Sequence, residues 1–321
     1  MRICCTGGNG MVGKCIQDFV LTSELKYEEH EFVFLNRSLN NEQSVDLTNR
    51  EHVLNYFENH AFDYIIHLAA DVGGLFKNLN GNTSMFSNNI KINENIMEAC
   101  IKNNIKRGVF ILSSCIFPHE PSVFPMTEEM IHESPPHYSN EGYAYAKRMM
   151  HMQCQQYNQT MNTKFICLIP VNLYGPYDNF NPHNSHLIPG LMHRFHHNKQ
   201  CGDNSIAYGT GTPLRQMLFA PDFAHIICNT LFDLTIKATV LICCNDEEFQ
   251  IKEIVEKIAN VMDMDTTLIQ WDTTKSDGCM RKTVSNSSFK SFFPNFAFTP
   301  FHKGIKDSYD WYISNLHNIR K

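Results

Sequence analysis

Arg2-Ile3-Cys4-Cys5-Thr6-Gly7-Gly8-Asn9-Gly10-Met11-Val12-Gly13 runs from a strand pattern through three evenly spaced glycines into a helix pattern. Gly7, Gly10 and Gly13 give the spacing G-x-x-G-x-x-G. The first glycine of such a run permits a tight turn, the next lets the backbone approach a pyrophosphate, and the last lets helix and strand pack closely. The helix N-terminus that follows offers free N–H groups and a favourable dipole to an anion. Glycine spacing alone is a weak signal; its place after a strand and before a helix makes it specific. Gly7, Gly8, Asn9, Gly10, Met11, Val12 and Gly13 are therefore candidate cofactor-binding residues, and the cofactor class is a dinucleotide.

The alternation that this turn begins continues along the chain. Strand patterns rich in Ile, Val, Phe or Leu occur at Arg2–Thr6, Glu31–Leu35, Tyr64–Leu68, Gly108–Ser113 and Lys164–Ile169. Such short apolar runs suit strands covered on both faces. Helix patterns lie between them at Met11–Leu21, Arg50–Asn59, Ser84–Asn103 and Tyr143–Tyr157. The βαβ order predicts an α/β fold with a doubly wound parallel sheet of the Rossmann type. Beyond Leu173 the pattern changes: Gly, Pro, Asn and His become frequent, and Gln250–Met262 and Lys303–Leu316 read as amphipathic helices. The expected organisation is a dinucleotide-binding domain over 1–173 and a smaller mixed α/β substrate domain over 174–321, with the segment 213–235 returning to the first.

Composition excludes several classes. The chain has 321 residues, 43% hydrophobic and 19% charged, which reads as globular. A net charge of −6 and the lack of any like-charge block argue against nucleic-acid binding. No apolar run approaches the ~18 residues of a membrane span. A strand at residues 2–6 leaves no room for a signal peptide, so a cytoplasmic location is expected. The 12 cysteines are scattered, and Cys4, Cys5, Cys243 and Cys244 fall inside strand patterns. Buried free thiols are expected rather than disulfides. N-x-S/T sites such as Asn82-Thr83-Ser84 are then chance matches.

The end of the second strand reads Leu35-Asn36-Arg37-Ser38. NAD-binding chains usually carry an acid there to grip the ribose hydroxyls, whereas an arginine without an acid suits a 2′-phosphate. Arg37 thus favours NADP(H), and Asp46-Leu47 could border the adenine or simply cap a turn. Tyr143-Ala144-Tyr145-Ala146-Lys147 contains Tyr-x-x-x-Lys, whose i and i+4 side chains share one helix face. A phenol titrates near pH ~10 in water, and a lysine one turn away stabilises phenolate, so Tyr143 can exchange a proton with a carbonyl or alcohol. Ser113 and Ser114 stand where the fourth strand pattern ends, the edge at which open α/β sheets hold ligands. Either can hydrogen-bond the reacting oxygen.

Taken together these features resemble the extended short-chain dehydrogenase/reductases that act on nucleotide sugars. Longer runs narrow the resemblance to the epimerase/reductases of GDP-4-keto-6-deoxy-D-mannose: His67-Leu68-Ala69-Ala70-Asp71-Val72-Gly73-Gly74-Leu75, Ser114-Cys115-Ile116-Phe117-Pro118, Asn172-Leu173-Tyr174-Gly175-Pro176, Asp178-Asn179-Phe180 and Asp272-Thr273-Thr274-Lys275-Ser276-Asp277-Gly278. The resemblance spans nearly the whole chain. It implies that Cys115 and His186 are an acid–base pair, and that Ser113, rather than Ser114, partners Tyr143 and Lys147. It implies that Lys147, His186 and Pro170-Val171-Asn172-Leu173 also meet the cofactor. Arg194, Tyr208, Arg215 and Asp277 fall where the family grips a GDP-sugar. At 194 the family more often shows lysine and at 208 tryptophan, so charge and aromaticity are kept while contact geometry differs.

The same resemblance implies a homodimer, through a four-helix bundle built on Ser84–Asn103 and Tyr143–Tyr157. Their apolar side chains include Ile90, Ile96, Met97, Met149, Met150 and Met152. His193, His196 and His197 have helical spacing that could hold a metal, but without a carboxylate nearby they read as a polar helix face. No metal is expected. Rival readings are another nucleotide-sugar reductase, a 4-epimerase or a dehydratase on the same fold. A different class is a dinucleotide-binding redox sensor without turnover, against which the intact Ser113, Tyr143 and Lys147 argue.

Overall fold

A computed structural model of the chain describes residues 1–23, 27, 29–37 and 43–320; Ser38 of the run quoted above lies outside them. Its main layer is a six-stranded sheet, all parallel, in the order β2-β1-β3-β4-β5-β9. The strands are β1 (Arg2–Thr6), β2 (Glu31–Leu35), β3 (Tyr64–His67), β4 (Arg107–Ile111), β5 (Lys164–Pro170) and β9 (Val240–Cys243). Four crossover helices cover its faces: α1 (Met11–Thr22), α2 (Arg50–Asn59), α3 (Leu75–Lys102) and α4 (Glu141–Thr160). Strand β4 is buried along its whole length, as a central strand under helices on both sides must be. This is the doubly wound fold that the sequence pattern predicts.

Two features extend the pattern. Helix α3 begins at Leu75, nine residues before the Ser84 expected from periodicity. Gly81, Asn82 and Thr83 are poor helix formers, and tertiary contacts hold the early turns instead. Gly74 N–H donates to the Asn184 carbonyl at 3.3 Å, and Asn82 Oδ1 accepts from Gly142 N–H at 3.2 Å. The sheet's sixth strand comes from residues 240–243, and α6 (Ala220–Phe232) packs against α1.

A second layer carries a three-stranded sheet in the order β10-β8-β6 and a two-stranded β11-β7 pair. Its strands are β6 (Asn172–Tyr174), β7 (Ile206–Tyr208), β8 (Leu214–Phe219), β10 (Glu248–Gln250) and β11 (Gln270–Asp272). Helices α5 (Leu187–Cys201), α7 (Ile251–Val261) and α9 (Phe301–Ser314) pack around them, while α8 (Ser287–Phe292) rests on β9. Two apolar cores result. Strand alternation divides β8 between them: Leu218 joins the core under the large sheet, and Met217 and Phe219 join the other. Helix α7 starts with a reciprocal capping box between Gln250 and Glu253. Among the described residues no helix is long and apolar enough to cross a membrane.

Candidate active site

The carboxyl ends of β1 to β5 open into a cleft of about 620 Å³, whose far wall is built by α5, β8 and the loop 277–282. At its floor Gly7 takes φ +75°, and a Cβ there would stand 3.0 Å from the Ala69 nitrogen. A Cβ on Gly13 would lie 2.6 Å from the Gly7 carbonyl oxygen, so the close crossing of turn and helix needs glycine there. Gly10 caps α1 without any side-chain hydrogen bond. The first amides of α1 are thus left for a ligand, and Gly7 and Gly10 to Gly13 line the cleft. This cradle fits a dinucleotide pyrophosphate. Gly8 serves differently: its N–H donates to Leu35 at 3.0 Å, tying the turn to β2.

Asn36, Arg37 and Val45 to Thr48 line the cleft beside the tip of β2. Among the described residues no acid stands at the tip of β2. Asp46 Oδ1 accepts from the Thr48 N–H and hydroxyl at 3.0 and 2.7 Å, which holds its carboxyl below the usual range. Asp46 thereby caps a turn while still lining the cleft.

Ser113, Cys115, Tyr143 and Lys147 meet at the end of β4. Ser113 caps a short 3₁₀ turn, Ser114–Ile116, and its Oγ accepts from the Cys115 N–H at 3.3 Å. The same hydroxyl lies within hydrogen-bonding reach of the Cys115 thiol. Tyr143 and Cys115 pack together with Met85 and Ala144 in a small buried cluster. Burial, and then the neighbouring Cys115, push the Tyr143 phenol far above its usual range. Lys147 is almost wholly buried; its Nζ donates to the Ile111 carbonyl at 2.7 Å and lies 5.8 Å from the Tyr143 ring centre. Burial lowers its pKa to about 8. Beneath it His67, buried and bonded to Thr6 Oγ1 at 2.8 Å, is held neutral by burial and by the Lys147 charge, with a pKa of about 3.

The substrate side of the cleft is set by cations. Arg215 on β8 and Lys282 in the loop after β11 both line it. Lys282 lies in electrostatic range of Cys115; burial raises the Cys115 thiol, and Lys282, Ser113 and Lys147 oppose that rise. Asp277 also lines the cleft, but its two oxygens accept from the Thr210 N–H at 2.7 Å and the Thr210 hydroxyl at 2.9 Å. It thus anchors the turn after β7. His186, the N-cap residue of α5, faces the cleft beside the buried Asp178. Pro170 to Leu173 line the wall between β5 and β6.

Four anticipated residues do not line the cleft: Gly8 and Asn9 within the glycine turn, and two that stand apart from it. Arg194 and Tyr208 do not line this cleft; the Arg194 guanidinium lies 4.0 Å from the centre of the Tyr208 ring, forming a stacked pair. Tyr208 is 45% exposed, and the same turn that Asp277 anchors joins it to the cleft rim. His193 and His196 donate to or accept from the hydroxyls of Tyr312 and Tyr309 at 2.8 and 3.3 Å, so they tie α5 to α9. Among the described residues no group of three His, Cys, Asp or Glu side chains could hold a metal. Sequence reasoning missed Lys282, Asp178 and Arg320 as cleft residues. Each is a single charged residue in a loop with no periodicity to mark it; only the Asp178-Asn179-Phe180 run gave a hint.

A parallel sheet with a glycine turn at its first crossover and Ser, Tyr and Lys at its carboxyl edge defines a dinucleotide-dependent enzyme of the dehydrogenase and epimerase type. The chain belongs to the NAD dependent epimerase/dehydratase family, whose model matches residues 3–233. Within it the chain is 39% identical to GDP-L-fucose synthase of Dictyostelium discoideum, over 98% of this chain and 96% of that protein. It is 27% identical to GDP-L-fucose synthase of Escherichia coli (strain K12), over 99% and 98% of the two chains. A solved GDP-L-fucose synthetase from Naegleria fowleri bound to NADP superposes with a TM-score of 0.89 at 34% identity, covering 100% of this chain and 96% of that one.

Proposed function

We propose that this chain converts GDP-4-keto-6-deoxy-D-mannose to GDP-L-fucose with NADPH, inverting the two ring carbons beside the ketone before reducing it. One observation carries this reading: Cys115 and His186 share a single cleft with Ser113, Tyr143 and Lys147. A 4-epimerase has no need of the first pair. The full-length relatives named above, which are GDP-L-fucose synthases, support the same choice over other nucleotide-sugar enzymes.

The ketone acidifies the hydrogens on its neighbouring carbons. Cys115 and His186 remove each proton and return one to the opposite face, with the substrate passing through an enolate. Ser113 turns its hydroxyl proton to the enolate oxygen and later to the ketone. Bound NADPH supplies the hydride to that carbon. Tyr143 then gives its proton to the oxygen: its raised pKa keeps it protonated, which is the state a reduction requires. The Lys147 ammonium stabilises the phenolate left behind. Gly7 and Gly10 to Gly13 hold the pyrophosphate, Arg37 the 2′-phosphate, and Pro170 to Leu173 the nicotinamide end. Arg215 and Lys282 supply the charge for the sugar diphosphate, and the Arg194–Tyr208 stack offers a face for the guanine.

Deuterium exchange separates the two half-reactions. Tyr143→Phe is expected to lose reduction by at least a hundredfold while the substrate still takes up solvent deuterium at the two carbons. Cys115→Ser is expected to lose exchange while NADPH still binds. Loss of exchange and reduction together in Tyr143→Phe would contradict this division of roles.

The enzyme is read as a cytoplasmic homodimer. Ten of its free cysteines are buried, which suits a reducing compartment. Met149 and Met152 stand 41% and 37% exposed on α4, whereas Ile96, Met97 and Met150 are packed in the core. That outward methionine face supports pairing with a second copy.

A further inference from the structure

The cleft holds a buried acid that the proposed chemistry does not use. Asp178 is 2% exposed; its Oδ1 accepts from the Asn179 N–H at 2.7 Å, and its Oδ2 is buried with no partner. It lines the same cleft as the glycine turn. Its loop lies on α1: Tyr177 hydrogen-bonds Asp18, and Asp178 itself is in electrostatic range of Cys15, one turn beyond the cradle amides. A lone carboxylate facing a pyrophosphate site would repel the ligand.

A cation lies within electrostatic range of it. The stretch after α9 returns to this loop, where the Arg320 carbonyl accepts from Phe180 N–H at 2.9 Å and Arg320 bridges to Asn179 in parallel register. These contacts use only the Arg320 main chain. Its side chain is exposed, lines the cleft and lies in electrostatic range of Asp178. Burial raises the Asp178 carboxyl, and His186 and Arg320 oppose that rise. Arg37 sits at the other end of the cleft, with Asp46 and Thr48. Arg37 and Arg320 are therefore two separate cations of one cleft.

We propose that Arg320 is a ligand of the dinucleotide pyrophosphate, oriented by the Asp178 carboxylate. The inference rests on the dinucleotide reading above and adds a contact from the far end of the chain. A guanidinium can fork two hydrogen bonds onto the phosphates while Asp178 Oδ2 accepts from its remaining N–H groups. The loop of residues 177–181 and the stretch around Arg320 then close the side of the pyrophosphate opposite the α1 amides.

Binding of four ligands tests this: NADPH, NADH, ADP-ribose and adenosine 2′,5′-bisphosphate, each titrated by calorimetry. Arg320→Ala keeps the main-chain bridge, so it isolates the guanidinium. It is expected to weaken NADPH, NADH and ADP-ribose about tenfold or more and to weaken adenosine 2′,5′-bisphosphate, which keeps only one of the two pyrophosphate phosphorus atoms, by a smaller factor. Arg37→Ala is expected to do the reverse, weakening only the two ligands that carry a 2′-phosphate. Asp178→Asn should weaken NADH in the wild-type background and add nothing on top of Arg320→Ala. Unchanged NADH and ADP-ribose affinity in Arg320→Ala would overturn the proposal, as would a loss confined to the 2′-phosphate ligands. Fully additive losses would remove Asp178 from it. A wild-type protein that binds none of the four would instead overturn the dinucleotide reading, and this proposal with it.

Discussion

Burial sets the protonation states on which the reaction depends. Tyr143 and Cys115 lie in one small apolar cluster, and both are driven toward their neutral forms. Lys147 beside them is driven the same way, but for an amine the neutral form is the deprotonated one, reached at a pKa of about 8. Below that value the ammonium is present and can stabilise a Tyr143 phenolate; above it the charge is gone. The rate of ketone reduction is therefore expected to fall about tenfold per pH unit above 8. Lys147→Arg, whose guanidinium stays charged, should displace that limb upward, though at a lower rate because its planar fork fits the Ile111 carbonyl poorly. A kcat–pH profile for both proteins checks this, and an unmoved limb in the variant would assign it to another group. Stability runs the opposite way: folding depresses the Lys147 pKa from 10.5, so the cost of its buried charge is full below about 8 and is relieved as pH rises toward 10.5.

The helices α3 and α4 carry this chemistry to its place. Gly142 precedes Tyr143, and a Cβ there would overlap the Asn82 carbonyl oxygen of α3. Gly142→Ala is therefore expected to cost about 1–3 kcal/mol by overpacking and to lower kcat by moving Tyr143. Thermal unfolding and turnover check both, and a variant as stable and active as the wild type would show that α4 can shift freely. This contact also shows where sequence reading stops. Bounds of β1, β2 and α2 follow from local pattern alone, because each is a short run with a clear period between turn signals. The first turns of α3 do not, since glycine and asparagine there are held by α4 and by residue 184 rather than by propensity. Tyr143 and Lys147 were legible from spacing, and Ser113 or Ser114 from the strand end; the choice of Ser113, and the candidates Cys115 and His186, came only through family resemblance. Lys282 and Arg320 were not legible, because a lone cation in a loop acquires meaning only when the fold brings it to the cleft.

At the scale of the whole molecule, two cores meet along β6 and β8, and the cleft runs along that junction. The glycine turn belongs to one layer and Arg215 and Lys282 to the other, so a ligand spanning both must join them. The outward face of α4 gives a separate expectation: Met149→Glu with Met152→Glu should convert a dimer to a monomer in light scattering, whereas an unchanged mass would place the interface elsewhere. The central claim, that one cleft performs two inversions and a reduction, is tested most directly by mixing the purified protein with GDP-4-keto-6-deoxy-D-mannose and NADPH, following NADPH absorbance and identifying the sugar formed. Stoichiometric NADPH oxidation with GDP-L-fucose as product is the result expected. Oxidation that yields a reduced sugar with neither carbon inverted would contradict it, leaving a reductase in which Cys115 and His186 take no part.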